Sequence, residues 1–235
     1  MHVAITGSRG EPAALIQVEA VERRYGSGCA ACLALRNITL HIHPGEFVAV
    51  VGPSGSGKST LLNIMGGIDR PTAGVVRIDG RDLARLSDIE GSDTRLHRFG
   101  FVFQDARLVP VLTVRENIEF PLLFRRDLKR THRNERIAAV LEEVNLTPLQ
   151  HRRPGELSAG EQQRAALARA FAGNPAIVLA DEPTSNLDRA TGTAMIALMR
   201  SISRQRGTTI VCATHDAQLV MTADRIVRLR DGNIE

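Results

Sequence analysis

The chain has 235 residues, 43% hydrophobic and 24% charged, which allows one large domain with a sizeable core and falls short of two comfortable ones. A net charge of +4, no tryptophan and a single tyrosine give little support to nucleic-acid binding, and no nucleic-acid partner is expected. Residues 1–12 lack a basic start followed by an apolar segment, and no apolar run approaches a bilayer's thickness, so the expected compartment is the cytoplasm.

Residues 1–14 show no periodicity and are expected to form a loose tail before a single domain over 15–235. Residues 15–21 alternate like a strand, 23–28 carry a turn cluster, and 33–42 alternate again before a turn at Pro44 and Gly45. Residues 47–51 (FVAVV) have the composition of a buried parallel strand, and 59–65 read as a helix stopped by Gly66 and Gly67. A turn at 70–74, a strand at 75–78 and a turn at Asp79 and Gly80 complete a set of short segments expected to form an antiparallel sheet. Strand 101–103 ends on Gln104, and residues 113–144 turn helical. The basic run 125–136 (RRDLKRTHRNER) is read as a solvated helix face in preference to a patch facing a membrane or a partner. Residues 157–172 open with Ser158 as N-cap and Glu161 three residues later, a capping box, and continue as a strong alanine- and arginine-rich helix. Further along come a buried strand at 176–180, a helix at 191–204, a buried strand at 208–214 ending at His215, and a β-like piece at 224–229. Cys29 and Cys32 have C-x-x-C spacing, but no second pair completes a zinc set; with Cys212 in an apolar stretch, all three are read as reduced structural thiols.

The residues Gly52, Pro53, Ser54, Gly55, Ser56, Gly57, Lys58, Ser59 and Thr60 fit the phosphate-loop pattern G-x-x-x-x-G-K-[ST], placed between a strand and a helix. The glycines let successive N–H groups turn inward and form a nest for phosphate oxygens at a helix N-terminus. Lys58, one of only two lysines in the chain, adds a point charge for the β- and γ-phosphates, and the Ser59 hydroxyl is placed to ligate Mg2+. A second signal stands at the end of the apolar strand 177–180, where Asp181 is suited to hold Mg2+ opposite Ser59 and Glu182 to act as general base toward an attacking water.

The third signal is Leu157-Ser158-Ala159-Gly160-Glu161, followed by Gln162, Gln163 and Arg164. With these residues the chain resembles the ATP-binding cassette (ABC) ATPases, whose signature reads L-S-G-G-Q/E, with Ala159 standing where the family usually has glycine. The resemblance runs from Tyr25 to His215. It implies an α/β fold: a P-loop NTPase (RecA-like) core, an antiparallel β flank and an α-helical subdomain at about 105–165. It implies that Tyr25 stacks on adenine, that Gln104 senses Mg2+ and the attacking water, that residues 185–188 (Ser185, Asn186, Leu187, Asp188) cross a dimer interface, and that His215 contacts the γ-phosphate. It further implies a homodimer in which Ser158, Gly160 and Glu161 of one copy close on the triphosphate held by the phosphate loop of the other, with ATP and Mg2+ bound between them. The expected activity is Mg-dependent ATP hydrolysis, with Glu182, His215, Gln104 and Lys58 as the catalytic set.

Residues 66–72 (GGIDRPT), 100–104 (GFVFQ), 116–122 (ENIEFPL) and 180–188 (ADEPTSNLD) bring the resemblance closest to cassettes of the lipoprotein-release and macrolide-export type. That implies a separate transmembrane permease, peripheral attachment to the inner face of the membrane, and export or mechanical extraction of a substrate. The alternative is a non-transport regulator that couples ATP hydrolysis to envelope remodelling. Soluble ABC proteins of translation or DNA maintenance, and P-loop kinases, fit less well: there is one phosphate loop, one signature and no heptad insertion.

Overall fold

The computed structural model describes residues 13–26 and 32–235. The N-terminal half contains β1 (Ile16–Tyr25), β2 (Cys32–Ile42), β3 (Phe47–Val51), α1 (Lys58–Met65), β4 (Ala73–Ile78), β5 (Arg81–Asp82), α2 (Asp88–Arg98) and β6 (Phe99–Val102). There follow α3 (Val114–Leu122), α4 (Arg130–Glu143) and α5 (Ala159–Ala172). The remainder consists of β7 (Ile177–Asp181), α6 (Arg189–Arg206), β8 (Thr209–Ala213), α7 (Ala217–Thr222), β9 (Arg225–Arg230) and β10 (Asn233–Ile234).

Among the described residues the strands form two sheets. The order β2-β1-β4-β5 is antiparallel throughout, and β10-β9-β3-β8-β7-β6 is parallel except for the β10 edge. The central strands β3, β7 and β8 are apolar on both faces because both faces are covered. Phe47, Ala49, Val178, Ala180, Ile210 and Cys212 point into one cluster with α3, α4, α5 and α6. Their alternating neighbours Val48, Val50, Ile177, Leu179, Val211 and Ala213 point into a second cluster with α1 and the antiparallel sheet. Register puts Val50 beside Ala213, and Ala213 beside Asp181. The carboxyl ends of β3, β7 and β8 therefore finish at one level, the edge at which open α/β sheets hold their ligands.

Several expectations change. Arg23, Arg24 and Tyr25 are not a turn: β1 continues through them, pairing Arg24 with Leu33 and Tyr25 with Cys32. Residues 1–12 and Cys29 lie outside the described residues; Cys32 is exposed and Cys212 fully buried. β6 begins two residues earlier than expected. The helix α2 was not anticipated, since it buries no residue and has no apolar stripe, although Ser87 and Glu90 form a capping box at its start. The region 113–144 is two helices, because Pro121 removes a helical N–H in the last turn of α3 and the chain leaves the helix after Leu122.

The basic run is also more than a solvated face. Arg125 is buried, makes a bidentate pair with Asp127 and donates to Gly173 O, the C-cap of α5, to which Arg136 also donates. Two guanidinium groups thus serve the carbonyl end of α5, where cations are favoured. α5 starts in the helical lobe and runs on past residue 165 onto the parallel sheet, close enough that a Cβ on Gly100 of β6 would stand 2.4 Å from Ala170 O.

Candidate active site

Between β3 and α1 the backbone curls through residues 52–57. Gly52 passes so near β9 that a Cβ there would lie 2.0 Å from Leu229 O. Gly57, at φ 105°, would set a Cβ 2.6 Å from Ala34 O in a conformation that L side chains avoid. No described side chain caps the first turn of α1, and no acidic residue stands in it. The helix N-terminus therefore offers its N–H groups to an anion. Lys58, 9% exposed, folds back over the curl, its Nζ donating to Gly52 O at 2.9 Å and Pro53 O at 3.2 Å and lying 3.9 Å from Glu182 Oε1.

At the end of β7 the two carboxylates diverge. Burial holds the Asp181 pKa above the usual aspartate value, and the neighbouring Ser59 hydroxyl pulls it the other way. Its Oδ1 is buried with no protein partner, as is Ser56 Oγ. An orphaned carboxylate oxygen beside a hydroxyl suits a hard cation such as Mg2+. Among the described residues no group of three or more His, Cys, Asp or Glu could hold a metal by itself.

Glu182 sits at φ 47°, a left-handed conformation that costs a non-glycine residue on the order of 1 kcal/mol and is held by its N–H donating to Ala213 O at 2.9 Å. Its Oε2 lies 2.9 Å from His215 Nδ1 and accepts weakly from the His215 backbone N–H at 3.4 Å. The turn that carries His215 is braced by Thr184 Oγ1 donating to Asp216 Oδ2 at 2.9 Å and by Asp216 N donating to Thr214 Oγ1 at 3.0 Å. Neither Thr184 nor Asp216 was singled out in the sequence, where nothing in their spacing marks them.

The structure therefore brings together Lys58, Ser59, Asp181, Glu182 and His215. Gln104 stands apart from them: its side chain is exposed, and among the described residues no hydrogen bond joins it to Ser59 or Asp181. Its loop is anchored through the backbone. Gln163 Nε2 donates to Phe103 O at 2.9 Å, Arg169 donates to Ala106 O and Arg107 O, and Asn186 Nδ2 donates to Gln104 O and Asp105 Oδ1. Gln163 and Arg169 ride on α5, so the helix opening with the signature holds the loop that carries Gln104.

Ser158 and Ala159 are exposed at the start of α5, and no described hydrogen bond links residues 158–161 to the phosphate loop. Ser158 N and Oγ both donate to Glu161 Oε2, each at 2.7 Å, which draws the Glu161 pKa below the ordinary range. The anion at this helix start is thus the chain's own carboxylate. Tyr25, 40% exposed at the end of β1, donates its hydroxyl to Asp69 Oδ2 at 2.7 Å.

A glycine-lined curl on the middle of a parallel sheet, with a carboxylate pair on a neighbouring strand end, defines a P-loop nucleoside triphosphatase. The family described as ABC transporter matches residues 35–185, and the chain belongs to that family. It is similar to an uncharacterized ABC transporter ATP-binding protein of Methanocaldococcus jannaschii, MJ0796, at 43% identity over 94% of this chain and 95% of the relative. The macrolide export ATP-binding/permease protein MacB of Nitrobacter winogradskyi is 42% identical over 94% of this chain, which spans only 34% of that relative. A dimeric structure of the MJ0796 cassette in a post-hydrolysis state, bound to ADP and Pi, superposes with a TM-score of 0.87 at 41% identity, covering 94% of this chain and 96% of that one. The chain is an ABC transporter ATP-binding cassette with the fold the sequence led us to expect, and its family implies ATPase activity.

Proposed function

We propose that two copies of this chain hydrolyse ATP with Mg2+ at sites shared between them, and that the cycle drives a separate membrane permease in export or mechanical extraction. The observation that carries the catalytic reading is Glu182, a strained carboxylate held between Lys58 and His215 beside the Ser59–Asp181 pair. In this reading the phosphates enter the curl formed by residues 52–60, and the Lys58 ammonium exchanges the Gly52 and Pro53 carbonyls for phosphate oxygens. Ser59 and Asp181, with Gln104 brought in by its loop, hold Mg2+, which when bound neutralises charge on the phosphates. His215 already occupies Glu182 Oε2, so Oε1 is the oxygen left to take the proton of the attacking water. In this reading His215 reaches the γ-phosphate through its other ring nitrogen, Nε2.

The donors on α5 complete the site from a second copy. Ser158 and Gly160 meet the γ-phosphate after Glu161 releases the Ser158 N–H and hydroxyl. Support for this pairing comes from the exposed Ser158 and Ala159 and from the dimeric form of the MJ0796 cassette. A membrane partner is supported by the relatives named MacB, in which ATP-binding and permease functions share one name and this chain spans about a third of the length. No helix among the described residues is long and apolar enough to cross a membrane. In the arrangement proposed, this subunit sits peripherally on the inner face against its permease. Ile89 on α2, with Leu123 and Phe124 just beyond α3, leaves an apolar edge exposed that is suited to a protein partner.

The direct test is phosphate release from ATP by the purified chain with and without Mg2+, and with Lys58→Ala. Release that requires Mg2+ and disappears in Lys58→Ala supports the assignment. Equal release without Mg2+, or from Lys58→Ala, contradicts it.

A further inference from the structure

Tyr25 is the last residue of β1, where a strand frays and an exposed ring would ordinarily sample several rotamers. Here it is held on two sides. The Arg23 guanidinium lies over one face of the ring, 4.4 Å from its centroid, and the hydroxyl donates to Asp69 Oδ2. Arg23 and Asp69 are themselves paired, with Nε to Oδ2 at 2.9 Å and Nη2 to Oδ1 at 2.8 Å, and both side chains are three-quarters buried.

Asp69 is a firm post for this arrangement. It follows α1 by four residues, its N–H donates to Asn63 O on that helix, and its Oδ1 also accepts the Arg70 N–H. The same loop is stitched to β1 by Thr72 N donating to Glu22 O and Arg24 N donating to Thr72 Oγ1. One short helix thus begins with the phosphate-loop Lys58 and ends next to the anchor of the ring.

We propose that Arg23 and Asp69 are positioning residues that turn Tyr25 into a fixed platform with a single open face, and so set how much the base contributes to nucleotide binding. The proposal rests on the reading of Tyr25 as the adenine-stacking residue. With Arg23 on one face, a base has only the opposite face to occupy. A cation there draws electron density from the ring and strengthens its attraction for an electron-rich purine. The Asp69 hydrogen bond fixes the ring plane, so less freedom is lost when the base arrives. Arg23 and Asp69 touch neither the phosphates nor the reacting atoms.

The test compares ATP with inorganic tripolyphosphate, which carries the phosphates and no base, by calorimetric titration in the presence of Mg2+. Arg23→Ala and Asp69→Ala are each expected to weaken ATP binding about three- to fivefold, the size of a modest cation–π contact. Both should bind tripolyphosphate as the parent does. Tyr25 is the only tyrosine and there is no tryptophan, so intrinsic emission reports on this ring alone. Excited at the red edge of tyrosine absorption, the parent should be quenched by saturating ATP, and both variants should be quenched less. Asp69→Asn keeps an acceptor for the hydroxyl and should be milder than Asp69→Ala; it also serves if the alanine variant does not fold.

Tyr25→Ala separates this proposal from the reading beneath it. If Tyr25→Ala weakens ATP and not tripolyphosphate while Arg23→Ala and Asp69→Ala match the parent, the positioning role is overturned and the stacking role stands. If Tyr25→Ala leaves ATP binding unchanged, the stacking role fails first. Equal loss of ATP and tripolyphosphate in the Arg23 and Asp69 variants also overturns the proposal, because it marks a general structural defect.

Discussion

Replacing Glu182 by glutamine keeps the size and one hydrogen-bond acceptor of the side chain and removes its capacity to take a proton. The approach of His215 Nδ1 at 2.9 Å is retained, since the glutamine side chain fills the same space. Lys58 loses an ion-pair partner at 3.9 Å and keeps its bonds to Gly52 O and Pro53 O, so the cost to stability is on the order of 1 kcal/mol. Catalysis loses far more. A positioned general base contributes about 10²–10⁴ in rate, equivalent to about 3–5 kcal/mol of barrier. Phosphate release at saturating Mg-ATP should fall by that factor, while the calorimetric affinity for ATP stays within about twofold of the parent, because no phosphate contact is removed. Hydrolysis within about threefold of the parent would refute the assignment of Glu182 as base. A matching loss of ATP affinity would refute it equally, since the side chain would then belong to the binding contacts.

Gly57→Ala forces a side chain into φ 105° against Ala34 O, which should cost about 1–3 kcal/mol, lower the melting temperature by about 2–4 °C per kcal/mol and weaken ATP binding; an unchanged melting temperature would mean that the loop relaxes freely. The Asp127 carboxyl is held far below its ordinary value of 3.8, first by the Arg125 hydrogen bonds and with help from His97. Its folded-state pKa is depressed, so its contribution to stability is complete above 3.8 and is lost as the pH falls below that value toward the folded one. Asp127→Asn should therefore melt lower at neutral pH and lose less on acidification, and parallel melting curves against pH would contradict this. Chelation of Mg2+ should stop phosphate release and leave measurable ATP binding, because Lys58 and the loop N–H groups do not depend on the metal; loss of ATP binding to the level of Lys58→Ala would show that the metal is needed to form the nucleotide site.

The core of this fold is legible because its strands must be apolar on both faces, and FVAVV, IVLAD and TIVCA are. The phosphate loop is legible because only glycine tolerates the Leu229 and Ala34 carbonyls at Gly52 and Gly57. What hid from the sequence shares one physical feature: its partners are distant and carry no pattern. Gln163, Arg169 and Asn186 bind main-chain carbonyls of residues 103–107, which any sequence would supply. Arg125 and Arg136 read as solvated charges, yet both turn to Gly173 O, 48 and 37 residues away. Gly26 made residues 23–25 look like a turn, while cross-strand pairing with β2 carried β1 through Tyr25. The helix α2 buries nothing, so only its capping box betrayed it.

The central claim is that the phosphate loop is half of a site whose other half, at Ser158 and Gly160, belongs to a second copy. Light scattering of Glu182→Gln with and without Mg-ATP measures this most directly, alongside the double variant Glu182→Gln, Gly160→Asp. A side chain at Gly160 already crowds Thr191 Cγ2 at 2.6 Å, and an aspartate there sets a negative charge against the γ-phosphate. Melting curves and ATP titration of the double variant are run alongside, and the comparison counts only for protein that melts like the parent and binds ATP. The account predicts that ATP doubles the mass of Glu182→Gln and leaves the double variant monomeric with ATP bound. A dimer that forms equally well in the double variant would contradict it, as would Glu182→Gln remaining monomeric with ATP bound.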